Sequence, residues 1–313
     1  MSRVGIDFSV RWWRVFSLGL WFACAIAFAQ DEPGESPSKS AIAAQERPGV
    51  STGLGEMALS RLYPEAAVWL ELEEGDRALG LLNPEQTLPA KGALLILADA
   101  GGTAASGVSG SLAQHLAERG WAVLTVGLDA PSTSLQRLLA SRQALTGKQS
   151  ENATGEASSV MIDVMEADGD GGPEAAYRNR VGRILEAGLT ELANREYDNI
   201  ALLGVGRASN HIVALSQGGQ NLRAMIWVAP VFYPGDEAVL ATRLGEVGVP
   251  AVLELYNSPV EGEVPGRRRE LRLLRAGLEN FVRQPVVLQQ PPSAQDGQSL
   301  ASRIDAWLQS LER

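Results

Sequence analysis

Gly204, Gly206 and Ala208 alternate along the chain where the apolar run 200–205 meets a stretch of helical character. Small residues at this spacing are typical of a sharp turn from a buried strand into a helix, whose central residue presents its side chain at the tip. A serine at the tip acts as a nucleophile. The central residue here is Gly206, so the pattern predicts the turn without its reacting atom.

Arg207 and Ser209 are the other residues of this turn that could do chemistry. Backbone N–H groups at a helix start, beginning with Arg207, can hold an anion without any nucleophile. Ser209 lies three residues beyond the tip, in the first turn of the predicted helix, and is expected to point away from it. The alternative is that the protein is a hydrolase with a displaced nucleophile. Ser209, or a serine of 106–111, would then attack the substrate with the help of a nearby base. Ser209 also stands where a dinucleotide-binding loop needs its third glycine, and no cofactor is predicted.

A base and an acid are equally hard to find. The two histidines, His115 and His211, fall in predicted helices, and 289–296, after the last predicted strand, contains none. We interpret both histidines as surface or packing residues. Glu254 lies between leucines in a predicted strand, so its carboxylate must find a partner, and we expect an arginine of 267–275 to supply it.

Metal sites are not predicted. His115 and His211 lie in different helices and cannot form a pair on one helix. The acidic turn 168–171 fails as a calcium loop, because Tyr177 stands where the closing glutamate belongs. The run Arg267–Arg269 opens a predicted helix and is interpreted as a solvated face rather than a binding patch.

Apolar runs alternate with helical stretches over most of the chain. Helices of this length between apolar runs indicate a mostly parallel sheet covered on both faces. We predict a three-layer α/β sandwich with a mostly parallel sheet and an N-terminal hairpin at its edge. Its strands are predicted at 66–72, 77–82, 93–98, 121–128, 200–205, 224–229, 250–256 and 285–288, and its helices at 106–119, 174–196, 208–217, 237–247, 267–281 and 298–311.

Ligands on such sheets bind beyond the carboxyl ends of the strands. The residues just after each apolar run are therefore the candidates for a ligand pocket. The loop after the first buried strand is glycine-rich, which suits a backbone that approaches a ligand, although an ordinary strand-to-helix turn fits as well. The candidates are Asp99, Ala100, Gly101, Gly102, Gly206, Arg207, Pro230 and Asn257.

The N-terminus has the pattern of a secretory signal peptide. Three arginines precede an apolar stretch from Val15 to Phe28, which ends in a small-x-small motif at Ala29. Cleavage there would remove Cys24, whose bulky neighbours argue against a lipoprotein site. We therefore predict a signal peptide over 1–29 and an exported, periplasmic protein with no transmembrane segment after removal of the signal.

The remaining chain is divided by composition. Residues 30–58 are rich in small and polar residues and are predicted to be a flexible leader, followed by one domain over 59–313. Within it, 131–173 has weak periodicity and is interpreted as an insertion, either disordered or cap-like. The segment 1–29 carries three arginines and one aspartate, so its removal changes the net charge from −10 to −12. This charge disfavours nucleic acid and anionic lipid as partners.

The order of elements and the turn at Gly206 resemble the α/β-hydrolase superfamily over roughly 59–313. More narrowly, the chain resembles a family of exported proteobacterial proteins of unknown function within it. The resemblance implies an α/β-hydrolase-like three-layer sandwich, export and loss of the Ser-His-Asp triad. It is carried by Pro64–Leu70, Lys91–Leu97, Gly120-Trp121, Leu203–Ala208 and Ala251–Tyr256.

Three functions follow as expectations. The first is a catalytically inactive protein that uses the crevice to bind a small molecule or an envelope protein, as Gly206 and the missing terminal histidine indicate. The second is an ester-type hydrolase with a displaced serine. The third is an envelope scaffold or assembly factor that recognises a partner through its acidic surface or 131–173.

Overall fold

A computed structural model of the protein describes residues 55–139, 172–215, 222–245, 251–257 and 263–311. The predicted signal peptide, most of the leader and the part of the insertion from 140 to 171 lie outside the described residues. Among the helices in the described ranges, none has the length and hydropathy needed to cross a membrane.

The elements follow the predicted alternation of strands and helices. The strands are β1 Ala67–Glu71, β2 Arg77–Asn83, β3 Gly92–Ala100, β4 Trp121–Leu128, β5 Ile200–Val205, β6 Ala224–Val228, β7 Ala251–Asn257 and β8 Phe281–Val286. The helices are α1 Glu56–Leu62, α2 Gly107–Ala117, α3 Pro173–Asn194, α4 Ala208–Leu215, α5 Pro234–Gly245, α6 Glu263–Arg275 and α7 Gly297–Ser310. A further short helical stretch covers residues 133–139.

The eight strands form one sheet in the order β1-β2-β4-β3-β5-β6-β7-β8. The first hairpin is antiparallel, and β2 also runs antiparallel to β4, whereas β3 to β8 run parallel to one another. The chain therefore passes from β3 to β4 on one side and returns to place β5 on the other side of β3. The strand order reverses at this point, where a crevice opens between the carboxyl ends of β3 and β5.

Helices cover both faces of the sheet. On one face, α2 and α7 pack against Leu94 and Ile96 of β3; on the other, α3 and α4 pack against Leu95 and Leu97. All four β3 side chains are fully buried, as the continuous apolar run predicts. The three-layer architecture and the edge hairpin are confirmed.

Two predicted boundaries near the C-terminus were wrong. Helix α6 ends at Arg275, not at 281, because the chain turns at Gly277 with a φ of +87°. Phe281 instead begins β8, which starts four residues before the predicted strand. Pro285 is tolerated inside β8 because this strand lies at the edge of the sheet and pairs on one side only.

The start of the folded part also differs from the prediction. Helix α1 begins at Glu56, within the predicted leader 30–58. Its position depends on tertiary contacts, since Glu56 Oε1 accepts a hydrogen bond from the N–H of Leu79 at 3.0 Å. Leu59 packs beside Leu79 and Leu81 of the hairpin. These partners are far along the chain and leave no local pattern.

Glu254 has the arginine partner that its buried position requires. Arg269 donates from Nε and Nη2 to the two Glu254 oxygens at 3.0 and 2.9 Å, and from Nη1 to Glu237 at 3.1 Å. Arg283 Nε adds a longer contact of 3.3 Å to Glu254. Burial opposes the charge of Arg269, but its bonds to Glu254 keep its pKa above the ordinary value. The predicted pairing is confirmed, whereas the solvated interpretation of Arg267–Arg269 was wrong for Arg269.

Candidate functional site

The turn after β5 has the sharp geometry that its small residues predict. Gly206 adopts a φ of +56°, a conformation that glycine reaches without a steric penalty. Its N–H donates to the carbonyl of Val228 at 2.9 Å, and its carbonyl accepts from the N–H of Val231 at 3.0 Å. The tip of the turn is therefore fixed from both sides by the loop after β6.

The carboxylate of Asp99 lies directly above this tip. Asp99 Oδ1 accepts one hydrogen bond from its neighbour's N–H, that of Ala100, at 2.8 Å. The same oxygen accepts a second from the N–H of Arg207, the residue after the tip, at 2.9 Å. Two backbone donors from two strand ends thus converge on one anionic oxygen, and helix α4 begins at the next residue with its positive end toward this site.

Asp99 also explains why the tip carries no side chain. A Cβ atom built at Gly206 would lie 2.5 Å from Cγ, Oδ1 and Oδ2 of Asp99, well inside contact distance. The Asp99 carboxylate and a side chain at position 206 would occupy the same space. The sequence places Asp99 and Gly206 more than a hundred residues apart, and only the adjacency of β3 and β5 brings them together.

Asn210 secures the same region from within α4. Its Nδ2 donates to the carbonyls of Arg207 and Val231, both at 2.8 Å, and its Oδ1 accepts from the N–H of Tyr233 at 2.9 Å. Asn210 is buried, so its amide holds the loop that presents Phe232 and Tyr233. The sequence analysis missed these three residues; an asparagine inside an apolar helical stretch was the available signal.

A cleft of about 450 Å³ opens beside Asp99, a size typical of sites for small molecules. The guanidinium of Arg207 lies 5.6 Å from the ring centroid of Tyr233, and no ion pair joins it to the rest of the described chain. Arg207 is the only cation among the described lining residues. These are Asp99, Ala100, Ala130, Pro131, Gln136, Leu139, Arg207, Val231, Phe232 and Tyr233.

The other predicted pocket residues have different places. The N–H of Gly101 donates to the backbone carbonyl of Leu128, and the N–H of Gly102 donates to the backbone carbonyl of Asp99. Both N–H groups therefore stabilise the loop itself rather than point into the cleft. The side-chain oxygen of Asn257 accepts from the N–H of Leu288 at 3.2 Å. Pro230 and Asn257 are outside the cleft lining, which contains Asp99, Ala100 and Arg207 of the predicted set. Residues from the start of the predicted insertion, such as Gln136, form part of the wall.

Ser209 and the histidines do not form a catalytic arrangement in the described structure. Ser209 is fully buried, and its hydroxyl donates to the carbonyl of Gly204 at 3.3 Å. His211 is buried with its ring edge-on to Tyr177, and desolvation lowers its pKa to about 4. His115 pairs with Glu118 on the surface of α2. Across the described ranges, no serine or threonine hydroxyl is hydrogen-bonded to a histidine.

The segment after the last strand, where a catalytic histidine would be expected, contains no histidine, and its buried polar residue is Asp296. This carboxylate accepts from the N–H of Ser293 at 2.7 Å and from that of Gln289, and with Ser293 it forms a capping box on the short 3-10 helix Ala294–Asp296 that precedes α7. Over the described residues, no group of three or more histidine, cysteine, aspartate or glutamate side chains could hold a metal ion.

The strand order and the turn after β5 place the protein in the class of α/β-hydrolase folds. Solved structures of this class superpose over most of the chain. Esterase Est22 has a TM-score of 0.51 at 10% identity, and the superposition covers 80% of this chain and 83% of the Est22 chain. The esterase domain of a Rhodothermus marinus protein has a TM-score of 0.50 at 11% identity, covering 77% and 96%. An esterase from Pyrococcus furiosus has a TM-score of 0.50 at 10% identity, covering 78% and 90%.

Within this class, the chain belongs to the DUF3530 family, which is described as protein of unknown function. The match to the family extends over residues 14–310, nearly the whole chain. Curated proteins gave no sequence match. At 10–11% identity, the likeness to the esterases concerns the fold alone.

The two N–H groups that donate to Asp99 can be compared with the oxyanion-binding groups of active α/β-hydrolases. In active α/β-hydrolases, the N–H after the nucleophile and an N–H from the loop after β3 bind the oxyanion that forms during acyl transfer. The N–H groups of Arg207 and Ala100 stand at these places, and Asp99 Oδ1 accepts from both. The carboxyl group of Asp99 also lies in the space that a side chain at position 206 would occupy.

Proposed function

We propose that this protein is an exported, non-hydrolytic member of the α/β-hydrolase class that binds a small organic anion in the cleft beside Asp99. The observation that carries the proposal is the Asp99 carboxylate, which fills the space of a nucleophile and accepts from both oxyanion donors. Export is proposed from the N-terminal pattern of basic residues, apolar stretch and cleavage motif.

The lining of the cleft supports a particular class of ligand. Arg207 offers a guanidinium that no described carboxylate neutralises, and this group binds carboxylates and phosphates well. The charge of Asp99 is already engaged by two N–H groups, which reduces its repulsion toward an incoming anion. Phe232 and Tyr233 provide flat apolar surfaces beside Arg207. A molecule with one acidic group and an aromatic or apolar body fits this arrangement.

Ester hydrolysis by the purified mature protein tests the absence of hydrolytic activity. We expect no turnover of p-nitrophenyl esters above background over acyl chains of two to about twelve carbons. Ser209→Ala is the matched control for the displaced-serine alternative, because it removes only a buried hydroxyl that bonds Gly204. Turnover that this substitution abolishes would contradict the proposal and support a hydrolase with a rebuilt site.

Thermal unfolding in the presence of aromatic and aliphatic carboxylates tests the ligand class. A ligand at a hundred times its Kd stabilises the folded state by about 2.7 kcal/mol, which corresponds to a shift in Tm of roughly 5–10 °C for a domain of this size. Arg207→Gln should remove the shift, whereas Arg61→Gln, an exposed arginine on α1, should keep it. If no acid shifts Tm, or if the Arg207 variant responds like the protein itself, the cleft is not an anion site.

Export has a separate test. Expression of the full chain in a Gram-negative host should give a periplasmic protein whose first residue is Gln30, measured by intact mass. A cytoplasmic protein that retains Met1 would contradict this part of the proposal and leave the ligand test unaffected.

A further inference from the structure

Helix α6 presents a cationic and apolar face to solvent. Of the α6 side chains that the structure describes, from 266 to 275, six are exposed and lie on this face. Leu271 and Leu274 are 46% and 45% exposed, which is high for leucine in a packed helix. We call this surface the α6 outer face; it consists of Arg267, Arg268, Leu271, Arg272, Leu274 and Arg275.

The opposite face of α6 holds the helix on the sheet. Leu273 is fully buried and belongs to the core, and Arg269 is bound to Glu254. Glu270, at the border between the two faces, is half-buried. The helix is thus anchored independently of its outer face, so the packing of the domain gives no reason for exposed leucines beside four arginines.

The arginines of the outer face have no carboxylate partner among the described residues. None of the four makes an ion pair within the described part of the chain, although the protein has ten more acidic than basic residues. Elsewhere in the domain, arginines such as Arg178 and Arg195 pair with carboxylates on their own helix. The α6 outer face is therefore a patch of positive charge on an acidic protein.

The net charge does not decide what this patch binds. At physiological ionic strength, charges more than about 8 Å apart are largely screened, so a partner that touches α6 experiences the local arginines first. The argument from net charge against anionic lipid therefore fails at this surface. Four arginines attract a surface of phosphate headgroups, and leucines among them bury apolar area in the acyl boundary.

We propose that the α6 outer face docks the protein on an anionic phospholipid surface. The two leucines favour a lipid surface over other polyanions as the binding partner. Nucleic acid would use the arginines and gain little from Leu271 and Leu274, whereas an anionic bilayer uses both kinds of side chain. This proposal is independent of the cleft and of whatever the cleft binds.

Sedimentation with vesicles tests the docking. The mature protein is mixed with vesicles of phosphatidylglycerol and phosphatidylethanolamine, and separately with phosphatidylcholine alone. We expect binding to the anionic vesicles only, with a dependence on salt. Arg268→Gln with Arg272→Gln should weaken binding at least tenfold, and Leu271→Ser with Leu274→Ser should weaken it several-fold.

Matched variants control for net charge and for exposed apolar area. Arg61→Gln with Arg303→Gln removes the same charge from exposed positions outside α6. Leu88→Ser with Val287→Ser removes two exposed apolar side chains, 81% and 84% accessible. Both control pairs should bind vesicles as the unaltered protein does, and all variants should keep its Tm within a few degrees.

Several results would overturn the proposal. One is absence of binding to anionic vesicles by the unaltered protein. Another is an equal loss in the control pairs, which would assign binding to net charge. A third is an unchanged affinity in the leucine variant together with equally tight binding of duplex DNA, which would make the face a general polyanion site.

Discussion

Replacing Gly206 with alanine brings a methyl group into the space of the Asp99 carboxylate. The new Cβ would lie 2.5 Å from three Asp99 atoms, whereas ordinary contacts begin near 3.4 Å. Relieving such an overlap costs about 1–3 kcal/mol. The φ of +56° adds about 1–2 kcal/mol for any residue with a Cβ. We expect Gly206→Ala to lower the free energy of unfolding by about 3 kcal/mol.

The contribution of Asp99 is separated by a double-mutant cycle. Asp99→Ala removes the obstructing carboxyl and two hydrogen bonds to backbone N–H groups, which water can partly replace at this half-buried site. In the Asp99→Ala variant, Gly206→Ala should cost only the about 1–2 kcal/mol that comes from the positive φ at this residue. We therefore expect the two substitutions to couple by about 1–3 kcal/mol, with the double variant more stable than additivity gives.

Gly107 provides a matched control for the backbone term. Its φ is +58°, nearly that of Gly206, and a Cβ there would meet no atom within 4 Å. Gly107→Ala should cost about 1–2 kcal/mol and should be additive with Asp99→Ala. Urea unfolding, followed by far-ultraviolet circular dichroism, gives all the free energies. Additivity of Gly206→Ala and Asp99→Ala within about 0.5 kcal/mol would refute the argument that Asp99 fills the nucleophile's space.

Three further substitutions test the surrounding structure. Burial keeps His211 neutral in the folded protein and lowers its pKa from 6.5 to about 4. Below pH 6.5 the unfolded chain therefore binds a proton at this histidine that the folded protein does not bind. The free energy of unfolding should fall by about 2 kcal/mol between pH 7.5 and pH 5. His211→Phe should remove this part of the pH dependence, and an unchanged profile of unfolding against pH would contradict it. Glu254→Gln leaves the charge of Arg269 poorly compensated in the core and should cost about 3 kcal/mol in urea unfolding; a loss below about 1 kcal/mol would show that the network is dispensable. Asn210→Ala removes the three hydrogen bonds that the Asn210 amide makes to backbone groups and leaves the Val231 carbonyl and the Tyr233 N–H without them. It should cost about 1–3 kcal/mol, with weaker binding of any cleft ligand; an unchanged affinity in titration calorimetry would show that the loop needs no such support.

The sequence by itself determined most of the architecture. Continuous apolar runs predicted β3 and β5, since strands buried on both faces leave no polar alternation. The spacing of Gly204, Gly206 and Ala208 predicted the turn, because backbone conformation and close packing there are local requirements. The partner of Glu254 was predictable in kind, because a buried carboxylate needs a cation, although only the fold selected Arg269.

The tertiary structure decided what the turn contains. Asp99 follows an apolar run, and its local sequence does not indicate that its carboxylate accepts from Arg207. That contact exists because the strand order of the sheet reverses at β3, which places β5 beside it. The carboxyl ends of the two strands therefore meet, although more than a hundred residues separate them along the chain. Local patterns fix helices, strands and turns. The pairing of distant strand ends, which places Asp99 over Gly206, depends on the packing of the whole sheet.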